Sequence, residues 1–93
     1  MNIVDYIPHG QKNAITRSEL VKITRQSDRV VREMICQARR ETPILNTQNG
    51  EGYFIPLSTE KQLVERWLKQ ESKRAKSIFW SAKSAKEFIK RVV

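Results

Sequence analysis

Arginine is the residue type with the most chemistry to offer in this chain. Arg17 comes first, and Arg25, Arg29, Arg32, Arg39 and Arg40 then follow closely, with Gln26 and Ser27 among them. A guanidinium is permanently charged and presents its N–H donors in a rigid fork, which matches phosphate, carboxylate and the O6/N7 edge of guanine. That is recognition chemistry, with no proton to give up. Groups suited to covalent or acid–base work are sparse. His9 is the only histidine, set in a polar loop, and reads as solvent-exposed. Cys36 is the only cysteine; it lies beside the apolar positions of a helix and is expected to be a small core residue. There is no Cys/His zinc spacing, no glycine-rich phosphate loop and no serine or cysteine motif beside a histidine. No enzyme activity, metal or cofactor is expected.

Charge and length narrow the classes further. The 93 residues carry 18 Lys and Arg against 10 Asp and Glu, a net charge of +8. A surplus of that size suits a polyanionic partner, because each phosphate neutralised releases counterions. The surplus is uneven: residues 1–59 hold eight basic and six acidic side chains, and residues 60–93 hold ten and four. Hydrophobic residues make up 39%, and no run approaches the roughly 20 apolar residues of a membrane span. The opening Met1-Asn2-Ile3-Val4-Asp5-Tyr6 lacks the basic and apolar regions of a secretory signal, and a single cysteine allows no internal disulfide. A cytoplasmic location is expected. The length fits one domain over residues 1–57, with residues 58–93 as an appended element.

The elements that must position the arginines are legible in caps and breakers. Ile3, Val4, Tyr6 and Ile7 form an apolar cluster ending at Pro8. Thr16-Arg17-Ser18-Glu19 has capping-box form and predicts a helix through Leu20, Val21, Ile23 and Thr24. Ser27 is placed to cap a second helix, whose Val31, Met34, Ile35 and Ala38 make one buried stripe and whose arginines project toward solvent. After Pro43, Ile44-Leu45 and Tyr53-Phe54-Ile55 flank an Asn49-Gly50 turn and predict a β-hairpin, with Gly52 allowing a bulge or a close backbone approach. Ser58 or Thr59 is placed to cap the last element, Gln62 completing a box with Thr59. With no glycine or proline from Glu60 to Arg91, one helix of roughly 45 Å follows, Ser72 to Ser77 marking where it could kink. The fold class is therefore mainly α with a small β-hairpin (α+β).

The stretch 15–35 resembles the helix-turn-helix of bacterial winged-helix regulators, of the biotin-operon repressor type and of small phage or mobile-element regulators. Leu20, Val21, Val31 and Met34 match its inward positions, and Ser27-Asp28-Arg29 matches the start of its recognition helix. The turn departs from the pattern: Arg25 stands where a glycine is usual and Gln26 where an apolar residue is usual, which predicts backbone strain or a different turn. The resemblance implies a winged helix-turn-helix head that binds double-stranded DNA in a sequence-specific way. Arg29 and Arg32 would read base edges, and Gln26 and Ser27 would contact phosphate or a nearby base. Lys12, Arg17, Arg25, Arg39 and Arg40 would hold phosphates, and the wing tip with Gln48 and Asn49 would lie along the minor groove or backbone. The structural alternative for the arginines is a solvated face with local pairs such as Arg29 with Glu33.

The last helix carries a heptad-like seam. Leu68, Ala75, Ile78, Phe79, Ala82 and Ile89 are its candidate interface for a homodimer, as a palindromic site would require, while its lysines form a second polyanion surface. A role at a membrane surface ranks below these. The expected function is a transcriptional regulator or a recombination or replication accessory factor of a phage or mobile element. The alternative is a protein-interaction module that binds and inhibits a host nucleic-acid enzyme.

Overall fold

Thr16 fixes where the first helix starts. In the computed structural model, which describes residues 1–47 and 52–92, the Thr16 hydroxyl accepts the Glu19 N–H at 3.2 Å and Glu19 Oε1 accepts the Thr16 N–H at 3.4 Å. This is the expected capping box, and α1 follows as Arg17–Thr24. It stops at Arg25, whose φ of 58° and ψ of 23° are left-handed. Buried Thr24 braces the turn: its hydroxyl donates to the Leu20 carbonyl at 2.6 Å and accepts the Gln26 N–H at 3.4 Å. Ser27 then accepts the Val30 N–H at 3.2 Å and opens α2, Asp28–Ala38.

Ile3 and Ile7, from a 3-10 turn spanning Ile3–Tyr6 and the residue after it, join Leu20, Val31, Ile35, Ile44 and Ile55 in the core. Burial of each such side chain contributes about 1.5–3 kcal/mol. Met34 and Ala38 pack at its margin, as the stripe predicts. Cys36 departs from expectation, being exposed. It follows buried Ile35, and a helix turning about 100° per residue carries it away from the core.

The hairpin pairs β1, Leu45–Asn46, with β2, Tyr53–Phe54, antiparallel, Leu45 opposite Phe54. The Asn49-Gly50 turn lies outside the described residues. Alternation gives the hairpin two faces. Ile44 and Ile55 enter the core, while buried Leu45 and Phe54 lie on the other side, in a cleft with Leu63 and Trp67. Two further pairings have partners that the sequence does not signal, although the close backbone approach allowed for at Gly52 is part of the first. Ile15 and Tyr53 exchange backbone hydrogen bonds of 2.9 and 2.7 Å, and Ile55 accepts the Gly10 N–H at 2.9 Å while its own N–H donates to the Pro8 carbonyl at 2.8 Å. Gly52 makes the first of these approaches possible. Its φ is +117°, and a Cβ there would stand 2.0 Å from the Ile15 carbonyl oxygen.

A 3-10 turn, Ser58–Glu60, leads into α3, Lys61–Val92, 32 residues without a break. The expected Thr59 and Gln62 box does not form. Glu60 does the work instead, accepting the Leu57 N–H at 2.8 Å with one oxygen and the Gln11 N–H at 3.0 Å with the other. The tight turn folds its carboxylate back over the helix entry and ties that entry to the N-terminal segment. Leu63, Val64, Trp67, Gln70 and Glu71 are half-buried; from Ser72 onward every described residue except Ala82 is exposed. The radius of gyration, 16.6 Å, exceeds the roughly 12 Å of a compact chain this long, because α3 runs past the head. No helix among the described residues is long and apolar enough to cross a membrane.

Candidate nucleic-acid interface

Buried Val31 and Ile35 fix how α2 is rotated, and with it the side chains that face water. Arg29, Arg32, Cys36 and Arg40, spaced by three and four positions, form one exposed stripe, running from the capped N-terminus to just past the end of the helix. Arg29 Nε lies 3.4 Å from Glu33 Oε1, with the arginine side chain 87% exposed. An exposed pair of this kind contributes only about 0.3–0.5 kcal/mol, so a phosphate or base edge can displace Glu33. Arg32 and Arg40 make no ion pair with a described residue. The local Arg29 and Glu33 pair of the structural alternative is therefore present, without consuming the stripe.

The turn places three more of the expected residues at the stripe's N-terminal end. Arg25 is exposed, Gln26 is half-buried, and the Ser27 hydroxyl is occupied as a cap but keeps its own O–H to donate. Arg17 lies across from them, its Nε donating to Asp28 Oδ1 at 2.6 Å. The Tyr53 hydroxyl and the Asp28 carboxylate both push its pKa above the ordinary arginine value, so it stays charged wherever the protein is folded. Its side chain is 40% exposed. A phosphate contact there would be shared with Asp28. Lys12 is exposed on the 3-10 turn Gln11–Asn13. Gln48 and Asn49 lie outside the described residues. Of the described residues on either side, the Thr47 N–H donates to the Gly52 carbonyl at 3.0 Å, and the Thr47 hydroxyl accepts the Gly52 N–H at 3.1 Å.

Arg39 is the exception among the expected phosphate contacts. Its Nε donates to the Ile44 carbonyl at 2.8 Å and Nη2 donates to Asn46 Oδ1 at 3.0 Å. Its guanidinium sits over the Trp67 ring at 5.2 Å and the Tyr53 ring at 5.9 Å, and Trp67 Nε1 donates to the same Asn46 oxygen at 3.0 Å. Arg39 thus joins α2, the hairpin and α3, and its donors point into the protein. The signal was present in the spacing: position 39 is four beyond Ile35 and eight beyond Val31, on the inward stripe.

The expected interface residues of α3 occupy its solvent side. Leu68, Ile78, Phe79 and Ile89 are all more than half exposed, Ala75 is exposed and Ala82 half-buried. Among the described residues no group of three or more His, Cys, Asp or Glu side chains could hold a metal ion. Comparison with family models, with curated proteins and with solved structures finds no match for this chain.

Proposed function

We propose that this chain is a winged helix-turn-helix protein that binds double-stranded DNA sequence-specifically, as a regulator or as an accessory factor in recombination or replication. The observation that carries the reading is the arginine stripe of α2. It is exposed, nearly free of internal partners, and displayed by a helix whose opposite face is locked in the core. The order helix, turn, helix, hairpin supports it, as does the net charge of +8. In this reading α2 enters the major groove with Arg29 and Arg32 at guanine edges. Arg17, Arg25, Arg40 and Lys12 hold phosphates, with Gln26 and Ser27 beside them. Arg39 is left out of the contact set.

The test is fluorescence anisotropy of the full chain with random-sequence duplex DNA across a salt series. Binding should weaken with salt at a slope of about 0.9 per phosphate contact. Replacing Arg29→Glu and Arg32→Glu together should reduce affinity at least about a hundredfold, since each bidentate contact is worth about 1–3 kcal/mol and the reversal adds repulsion. Cys36, exposed on the stripe, gives an independent check: a bulky maleimide there should block the duplex. Unchanged affinity after that labelling would remove α2 from the interface, and no binding at low salt would overturn the reading.

The exposed seam of α3 favours a second element of the proposal, self-pairing into a homodimer through Leu68, Ala75, Ile78, Ala82 and Ile89, with Phe79 at its margin. The same exposure favours the rival reading as a module that docks on a host nucleic-acid enzyme. Under that rival, reversing Arg29 and Arg32 leaves biological activity intact.

A further inference from the structure

The free half of α3 carries two stripes. Positions 75, 78, 82, 85, 89 and 92 read Ala, Ile, Ala, Ala, Ile and Val; positions 73, 76, 80, 83, 87 and 90 read Lys, Lys, Trp, Lys, Glu and Lys. Both repeat at spacings of three and four, offset by two residues. At about 100° per residue, that offset puts them on nearly opposite sides of the helix. Trp80, 70% exposed, stands in the lysine stripe. Lys83 Nζ lies 5.1 Å from the Trp80 ring centroid and Lys86 Nζ 5.8 Å from that of Phe79. With Lys76, these side chains line a shallow surface pocket of about 390 Å³.

We propose that this face is a site for single-stranded nucleic acid, in which unpaired bases stack on Trp80 and Phe79 while Lys76, Lys83 and Lys86 pair with the flanking phosphates. Charge selects the class of partner. Residues 72–92 hold seven basic side chains and one acidic one, so the occupant is a polyanion. The rings select within that class. A duplex hides its base faces, whereas a single strand offers alternating flat bases and phosphates, the pattern that rings set among lysines can grip. The lysine–ring contacts are exposed and weak, and yield to a stacking base.

A membrane surface is the other polyanion such a helix could meet, and the arrangement argues against it. A helix lying in a lipid interface gathers its aromatic and aliphatic residues on one face and its lysines on the other. Here Trp80 sits with the lysines, nearly opposite Ile78 and Ile89. Immersing the aliphatic stripe would leave Trp80 in water, and immersing Trp80 would drag lysines after it. The site leaves the Ala and Ile stripe itself free and shares only Phe79 with the margin of the self-pairing seam, and it does not depend on the DNA reading of α2.

The experiment titrates the full chain with a fluorescent oligothymidylate of about 20 nucleotides, reading anisotropy and tryptophan emission together. Stacking predicts quenching that is lost in Trp80→Leu, an affinity roughly ten- to a hundredfold weaker in that variant, and recovery of most of it in Trp80→Phe, which keeps a ring. Trp80 is exposed, so neither change should disturb folding, and circular dichroism checks that. The variant carrying Arg29→Glu and Arg32→Glu should lose duplex DNA and keep the oligothymidylate, which separates failure of this site from failure of the α2 reading. Equal affinity of wild type and Trp80→Leu would overturn the proposal, as would inorganic polyphosphate producing the same Trp80-dependent quenching. A blue shift of Trp80 with phosphatidylglycerol vesicles and no response to the oligonucleotide would overturn it in favour of the membrane.

Discussion

The two halves of α3 belong to one helix, are built with the same spacing of apolar residues, and end up in different surroundings. In the first half Leu63 and Trp67 face a cleft shared with Leu45 and Phe54, and Trp67 is held by Asn46 and stacked under Arg39. In the second, Ile78, Phe79 and Ile89 face water. An amphipathic pattern offers a face for burial. Whether the face is buried depends on something being placed opposite it, and the hairpin reaches only the first three turns.

The largest expected effect breaks the hairpin on which the docked half depends. Gly52→Ala should cost about 3 kcal/mol or more, since its Cβ meets backbone at Ile15 and has no rotamer by which to escape. Urea denaturation would show this, and a midpoint near wild type would mean that the Ile15 and Tyr53 pairing is dispensable. Next comes the contrast between the two tryptophans. Trp67→Ala should lose about 3 kcal/mol, as burial, a hydrogen bond and a ring under Arg39 go together, whereas Trp80→Ala should change stability by no more than about 0.5 kcal/mol. Equal losses would erase the distinction between the halves.

Ile78→Asp combined with Phe79→Asp sharpens the comparison from the other side. Unfolding of the isolated chain should be unaffected, while sedimentation should fall from dimer to monomer mass if a second copy covers the seam. An unchanged mass would show that it is uncovered by self-pairing. The smallest effect belongs to Arg25→Gly. A left-handed non-glycine residue costs about 1–2 kcal/mol, partly offset by the greater backbone entropy of glycine, so the variant should be more stable by about 0.5 kcal/mol. A lower urea midpoint would show that the Arg25 side chain makes a stabilising contact.

Most of the local structure was legible because it depends on neighbours in sequence. Thr16 with Glu19 and Ser27 with Val30 act across three residues, so residue type and spacing suffice to place the helix starts. The exposed arginines of α2 were legible for the same reason, since the stripe of Val31 and Ile35 fixes which side they occupy. Cys36 and Arg39 show the limit. A helical wheel places position 36 off the core stripe and position 39 on it, against the expectation drawn from residue type: a small thiol was assigned to the core and a charged guanidinium to water. Glu60 shows another limit, because its second partner, the Gln11 N–H, is remote in sequence.

By itself, then, the sequence determined the helices, the caps of the first two, the hairpin segments and the concentration of positive charge in the tail, all of which follow from residue types within a few positions of one another. The tertiary structure decided which apolar faces are covered, which arginine becomes a joint and where a glycine is indispensable. Those outcomes depend on groups far apart in the chain, Asn46 with Trp67, Ile15 with Gly52 and Tyr53, and Gln11 with Glu60. Their meeting is set by how whole elements pack, which no local spacing encodes.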